Sequence, residues 1–295
     1  MILRYVLAAL LIGGSVLPAS ASDAVPELSG IWAREVFDFE LPLSGPGPVT
    51  NRSRIRTGQG NLSQLVGDYT NPILKPEAAQ IVKKRGEIAL TGVPAPDPSN
   101  QCRPMPPPYI LQFQEIQVLQ QKDQVTIIYA ENNEVRRVRL NRMHPAHLIP
   151  TWYGDSIGHF EGDTLVVDTV GIKVGALAMV DRYGTPYSDA LHVVERYRLI
   201  DYEAAKDAIT RSETENIHVP GGDVIGNGVA IDSGYRGKGL QVEFTVEDRN
   251  VFTTTWSGMS TFLRARDWVE RICAENPHVY YGNDTAIPTA DKPDF

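Results

Sequence analysis

His144, His147 and His159, three of the six histidines in the chain, fall close together with Asp155 and Glu161 between residues 143 and 169. An imidazole titrates near neutral pH, and a carboxylate beside it fixes its tautomer, so such a set can hold and release a proton. His144, His159 and the later His192 are the candidate proton-transfer groups, and Asp155 and Glu161 are their candidate partners. His144-x-x-His147 could instead chelate a metal from a turn, which Pro145 favours, with His159, Asp155 or His192 completing a set suited to zinc or iron. No cofactor is otherwise expected, and plain surface or hydrogen-bonded histidines account for the same letters.

Gly154-x-Ser156-x-Gly158 spells a nucleophile elbow, but that motif needs a strand before the serine and a helix after it. Here Pro150-Thr151-Trp152 precedes it and a hairpin follows, so a tight turn is the better account. Glu161 and Asp163 could pair as glycosidase carboxylates. A hairpin turn at Gly162-Asp163 explains them without a site.

Further along, Leu191 to Ile200 alternates as a strand, with Glu195 and Tyr197 on one face and His192 and Arg196 on the other. In a barrel, one of those faces points inward. Trp152, Tyr153, Glu195, Arg196 and Tyr197 are therefore the candidate substrate-binding residues, against the plainer alternative of a solvent face bearing His192, Arg196 and Arg198.

These groups need a scaffold, and the texture after residue 109 is that of short strands. Runs rich in Val, Ile, Leu, Thr and aromatics at 110–119, 125–131, 135–140, 158–160, 165–170, 191–200, 240–247 and 252–257 are broken by turn pairs at Lys122-Asp123, Asn132-Asn133 and Gly162-Asp163. Successive hairpins predict an antiparallel meander, and closure into a β-barrel removes its exposed edges. Helices are expected at 75–86, 202–209 and 262–275. Residues 44–109, rich in Gly, Pro, Asn and Ser, read as an irregular arm wrapping a single barrel domain that spans 22–295.

The chain has 295 residues, 42% hydrophobic and 22% charged, enough to bury a substantial core. Its net charge of −8 repels polyanions, so neither nucleic acid nor an anionic membrane surface is an expected partner. Arg4, the apolar run from Val6 to Leu17 and Ala19-Ser20-Ala21 read as a signal peptide over 1–21, which places the mature protein in the periplasm or outside the cell. No later segment is apolar enough to span a bilayer. Cys102 and Cys273 can form only one disulfide in that oxidising setting, a long-range link contributing about 4 to 5 kcal/mol on the chain-entropy model. Gly-x-Gly-x-x-Gly, Gly-Lys-Ser/Thr and Cys-x-x-Cys-His are absent, which argues against nucleotide cofactors and attached haem.

Two resemblances add to this. Gly30-Ile31-Trp32 resembles the first-strand signature of the lipocalin and wider calycin barrels, in which the Trp plugs the closed end and a basic residue from a late strand lies over it. The run Pro150-Thr151-Trp152 through Asp168-Thr169, followed by Leu191-His192-Val193-Val194-Glu195-Arg196, is similar to a recurring pattern of exported bacterial proteins that mostly carry no assigned activity. Taken with the clustering of His144, Asp155, His159, Glu161 and Trp152, these lead to the expectation of an exported barrel whose cavity takes a small organic molecule of apolar or aromatic character. Acid–base chemistry of lyase, isomerase or hydrolase type is one expectation, and non-catalytic lipocalin-like binding is the other.

Overall fold

The computed structural model describes residues 25–268 apart from 59, 62, 63, 114 and 216–230. The expected signal peptide, Cys273 and half of the helix anticipated at 262–275 lie outside the described residues. Nine strands close into a barrel in sequence order: β1 (Gly30–Ala33), β2 (Glu115–Gln120), β3 (Gln124–Tyr129), β4 (Glu134–Leu140), β5 (Asp155–Glu161), β6 (Thr164–Val170), β7 (His192–Ile200), β8 (Gly239–Glu247) and β9 (Trp256–Arg264).

Alternation builds the wall. Along β3, Val125, Ile127 and Tyr129 are buried between half-exposed neighbours, and Val193, Glu195 and Tyr197 repeat the pattern on β7. Inward aliphatics such as Val138, Val167 and Val242 lose all exposure, each contributing roughly 1.5 to 3 kcal/mol. Tight hairpins join β2 to β3, β3 to β4 and β5 to β6. Asn132 and Asn133 both adopt positive φ (56° and 50°), the conformation that matches strand twist in a two-residue turn, and Gly162 (φ 58°) turns the next hairpin.

Strand direction must alternate around an all-antiparallel ring, so an odd number of strands cannot close that way. Here β4 and β5 run parallel, and the other eight pairings are antiparallel. The expected antiparallel barrel is thus present with one exception. The chain leaving Leu140 must climb back up the outside of the barrel before starting β5 at Asp155, and that climb is the histidine-bearing segment.

The seam between β1 and β9 pairs Trp32 with Arg264. The Arg264 guanidinium lies over the Trp32 ring at 4.9 Å and donates to the Ser29 carbonyl at 3.0 Å. Gly30 has φ +144°, and a Cβ there would sit 1.8 Å from Arg264 Nη1, so only glycine fits beneath the arginine.

Between β1 and β2 the arm packs over the upper rim, the end at which β1, β3, β6 and β8 finish. It carries α1 (Arg52–Thr57), capped by the Asn51 side chain and ended by Gly58 in the left-handed region, and α2 (Pro76–Ala89), opened by its proline. Glu40 bridges Met259 and Leu74 bridges Phe252, which ties the arm to β9 and the loop before it.

A buried polar clamp reinforces this. Arg34 donates to Leu111 O, Ser260 Oγ and Asp38 O, while the Asp38 carboxylate accepts from Gln112 Nε2 at 3.2 Å and Tyr183 Oη at 2.5 Å. Met105, Tyr109, Ile110 and Leu111 join the hydrophobic core, so the Pro-rich stretch that forbids regular structure still contributes packing.

Three local expectations change. Residues 110–112 form a short 3-10 turn, with strand starting at Glu115; residues 252–255 are loop, with strand starting at Trp256; and Phe262 to Arg264 extend β9. Phe262 pairs with Leu240 across the sheet, a tertiary contact that overrides its helix-like spacing. The helix α3 (Tyr202–Glu215) is longer than expected and packs against β8 and β9, where Gly239 leaves room for Ala205. No helix among the described residues is long and apolar enough to cross a membrane.

Candidate active site

The climb from β4 to β5 lays His144 against the outer face of β5 and β6. His144 Nδ1 lies 2.6 Å from Asp155 Oδ1, and His144 Nε2 lies 3.0 Å from Asp168 Oδ1. His192 Nε2, from the start of β7, lies 3.1 Å from that same Asp168 oxygen. Arg139 on β4 completes the set, with Nη2 2.7 Å from each Asp155 carboxylate oxygen. Four strands and the climbing segment therefore converge on one patch of the upper outer wall.

The patch is electrostatically coupled. The Asp168 hydrogen bond holds the His192 pKa above the ordinary 6.5; partial burial opposes this, and the charges of Asp168 and Glu247 add to it. Asp168 is held below the ordinary carboxylate value chiefly by that bond. Both nitrogens of His144 face carboxylate oxygens, so only the doubly protonated ring can donate to both. The second nitrogen of His192 has no partner among the described residues, and 36% of its side chain is exposed. A carboxylate orienting an imidazole with an open second nitrogen is the arrangement general acid–base chemistry uses.

The other anticipated residues separate into different environments. His159 and Glu161 meet at 3.1 Å, and Arg196 reaches Glu161 at 2.5 Å, but all three are exposed on the barrel exterior and do not join the patch. Their side chains point outward because they sit at outer positions of β5 and β7. Arg196 and the Glu161 bond with it hold the Glu161 pKa low. His147 is exposed. Among the described residues no three or more His, Cys, Asp or Glu side chains are arranged to hold a metal ion. The three-ligand sets drawn from His144, His147, His159, Asp155 and His192 are thus not assembled.

Glu195 and Tyr197 point inward, as one of the two faces had to. Arg136, inward on β4, donates to both Glu195 oxygens, to Ser156 Oγ at 3.0 Å and to Thr169 Oγ1 at 2.5 Å, while Tyr197 Oη donates to Glu195 at 2.9 Å. Burial works against the Arg136 charge, and Glu195 together with Tyr129 and Tyr197 more than restores it. Ser156 is consumed by this network and is buried, which leaves no exposed nucleophile there. Gly154 (φ +69°) has no room for a Cβ, which would meet Val170 O at 2.6 Å, so packing explains both the glycine and the serine.

Trp152 and Tyr153 stand between the two environments. Thr151 bridges Ile172, so Trp152 leans over Gly175 with Lys173 Nζ 4.8 Å from its ring, and it lines a narrow cleft with Pro104, Pro106, Ala178 and Tyr187. The buried Tyr153 hydroxyl lies beside Glu134 without reaching hydrogen-bond geometry. Burial pushes Glu134 up to about 7, against the pull of Tyr153 and of the Met105 N–H.

Asp168, Arg139, Arg136, Thr169 and Glu134 were not singled out by the sequence, although two signals point to some of them. Counting back from the Gly162 turn places Asp155 opposite Val170 and Ile157 opposite Asp168, which puts both acids on one face. Arg136 also shares strand parity with the inward Val138 and Leu140. Family models, curated proteins and solved structures gave no significant match to the chain.

Proposed function

We propose that the protein is an exported enzyme that carries out acid–base chemistry, of lyase, isomerase or hydrolase type, on a small organic molecule of apolar or aromatic character. The observation that carries this is the single Asp168 oxygen bonded to two imidazoles, with His192 left open to solvent on its other nitrogen. Asp168 orients His192 and stabilises its charged form, and His192 takes or gives the substrate proton. His144 braces Asp168 from the other side, and Asp155 with Arg139 holds His144 in place. Trp152 supplies an apolar aromatic surface nearby.

The stack of Arg264 on Trp32 favours a second reading, a calycin-like binding protein without turnover. The barrel interior is occupied by Arg136, Glu195, Tyr129 and Tyr197, so both readings place the ligand at the rim and outer wall.

Wild type, His192→Ala and Asp168→Asn should be incubated with a panel of aromatic and aliphatic esters, hydroxy acids and lactones, with products followed by mass spectrometry. Turnover by the wild type that falls at least about a hundredfold in both variants supports the enzyme. Ligand retention with no product supports the binding reading, and turnover unchanged in both variants removes this site from the reaction.

A further inference from the structure

We infer that the groove between α1 and Leu90, the residue that caps the end of α2, is a binding site for a small amphiphilic acid, an apolar chain or ring ending in a carboxylate. It lies in the arm and does not depend on the chemistry proposed for the barrel wall. The groove measures about 500 Å³, within the ordinary range of small-molecule sites, and is lined by Arg52, Ile55, Arg56, Val66, Thr70 and Leu90.

The charges ask for an anion. Arg52 and Arg56 are four residues apart on α1, so their side chains leave the same face of the helix. Like charges at that spacing repel, and α1 has no acid in its first turn to offset them. Neither arginine forms an ion pair with a described residue, although acids outnumber bases 36 to 28 in the chain. Arg54 between them does find a carboxylate, Glu215. The Arg52 guanidinium is held 4.2 Å above the Tyr69 ring, and the Lys83 ammonium lies 5.9 Å from that ring. Arg52 is thereby positioned, and its planar fork suits a carboxylate.

The walls ask for an apolar body. Ile55 is 64% exposed and Leu90 57% exposed, two large aliphatic side chains that line the groove in solvent rather than packing in the core. A ligand that places its acid between the arginines and its chain along Ile55, Val66 and Leu90 would remove apolar surface from water and neutralise the like-charge pair together. A purely polar anion would satisfy only the first half, and a neutral hydrocarbon only the second.

The test is calorimetric titration of the full mature chain with decanoate, with acetate and decanol as head-only and tail-only controls. Decanoate is expected to bind, and to bind at least tenfold more weakly both in high salt and in R52Q/R56Q. Ile55→Ser/Leu90→Ser should weaken it comparably, and acetate and decanol should give no saturable heat. All four side chains lie on the surface, and circular dichroism verifies that each variant is folded. The salt series on the unmodified protein tests the charge requirement independently of any variant. Equal affinity in R52Q/R56Q, saturable binding of acetate, or binding of phosphatidylglycerol vesicles without binding of free decanoate would each overturn the assignment.

Discussion

Glu195→Gln should unfold this protein much more readily, because the change removes one charge from a buried pair and leaves the other behind. Arg136 and Glu195 retain only 1% and 0% of their side-chain exposure. Arg136 cannot shed its proton, so in the variant it stays cationic against a neutral amide, still bonded to Ser156 and Thr169. Breaking a buried pair in this way costs about 3 to 5 kcal/mol. For a domain of this size each kcal/mol moves Tm by roughly 2 to 4 °C, so Tm should fall by about 6 to 20 °C.

The companion variant Arg136→Met/Glu195→Leu removes both charges. It leaves the 3.0 Å Ser156–Thr169 hydrogen bond in place, and it should be less destabilised than Glu195→Gln alone. Urea unfolding followed by circular dichroism, on Arg136→Met, Glu195→Leu and the double, gives the coupling energy directly. A cost below about 1 kcal/mol for Glu195→Gln, or a double variant whose loss equals the sum of the singles, would refute the claim that this pair organises the interior.

Four further outcomes follow from particular contacts. Asp168→Asn should lower the His192 pKa, as read by NMR titration of the ring protons, since the Asp168 bond is the leading cause of its elevation; an unmoved titration would sever the two residues. By linkage, the raised His192 pKa contributes stability that is complete below 6.5 and lost as pH rises through the folded value, so stability in Asp168→Asn should depend less on pH there. Gly30→Ala should cost at least about 2 kcal/mol in urea melts, with Arg264→Ala restoring only part of it, because the φ of +144° remains unsuitable for alanine; full rescue would show that the clash alone mattered. Glu134 binds its proton more tightly folded than unfolded, so stability should decline between pH 4.5 and about 7, and Glu134→Gln should flatten that decline; an unchanged slope would mean the carboxyl is solvated.

Much of the barrel was legible because strands announce themselves locally. Seven of the runs read from β-branched and aromatic density fall on β2 to β8, with ends shifted by a few residues, and positive-φ asparagines and Gly162 mark the turns. Gly30-Ile31-Trp32 falls on β1, where Arg264 of β9 lies over the Trp32 ring. Two elements resisted for stated reasons. Phe262 has helical spacing to its neighbours but is claimed by a cross-strand partner, and α1 is only six residues long, held by an Asn cap and a Gly stop that resemble any loop.

The candidate site was legible as residue types and not as an assembly. Side-chain alternation alone decided that Glu195 and Tyr197 share one face of β7 while His192 and Arg196 share the other, because a strand has period two. Which face is inward, and which acid meets which imidazole, depended on closure. Nine strands force one parallel pair, the parallel pair forces a climb outside the wall, and that climb carries His144 onto Asp155 and Asp168 beside His192. Those contacts span up to 24 residues and follow from ring parity, a property of the whole sheet that no local window of the chain contains.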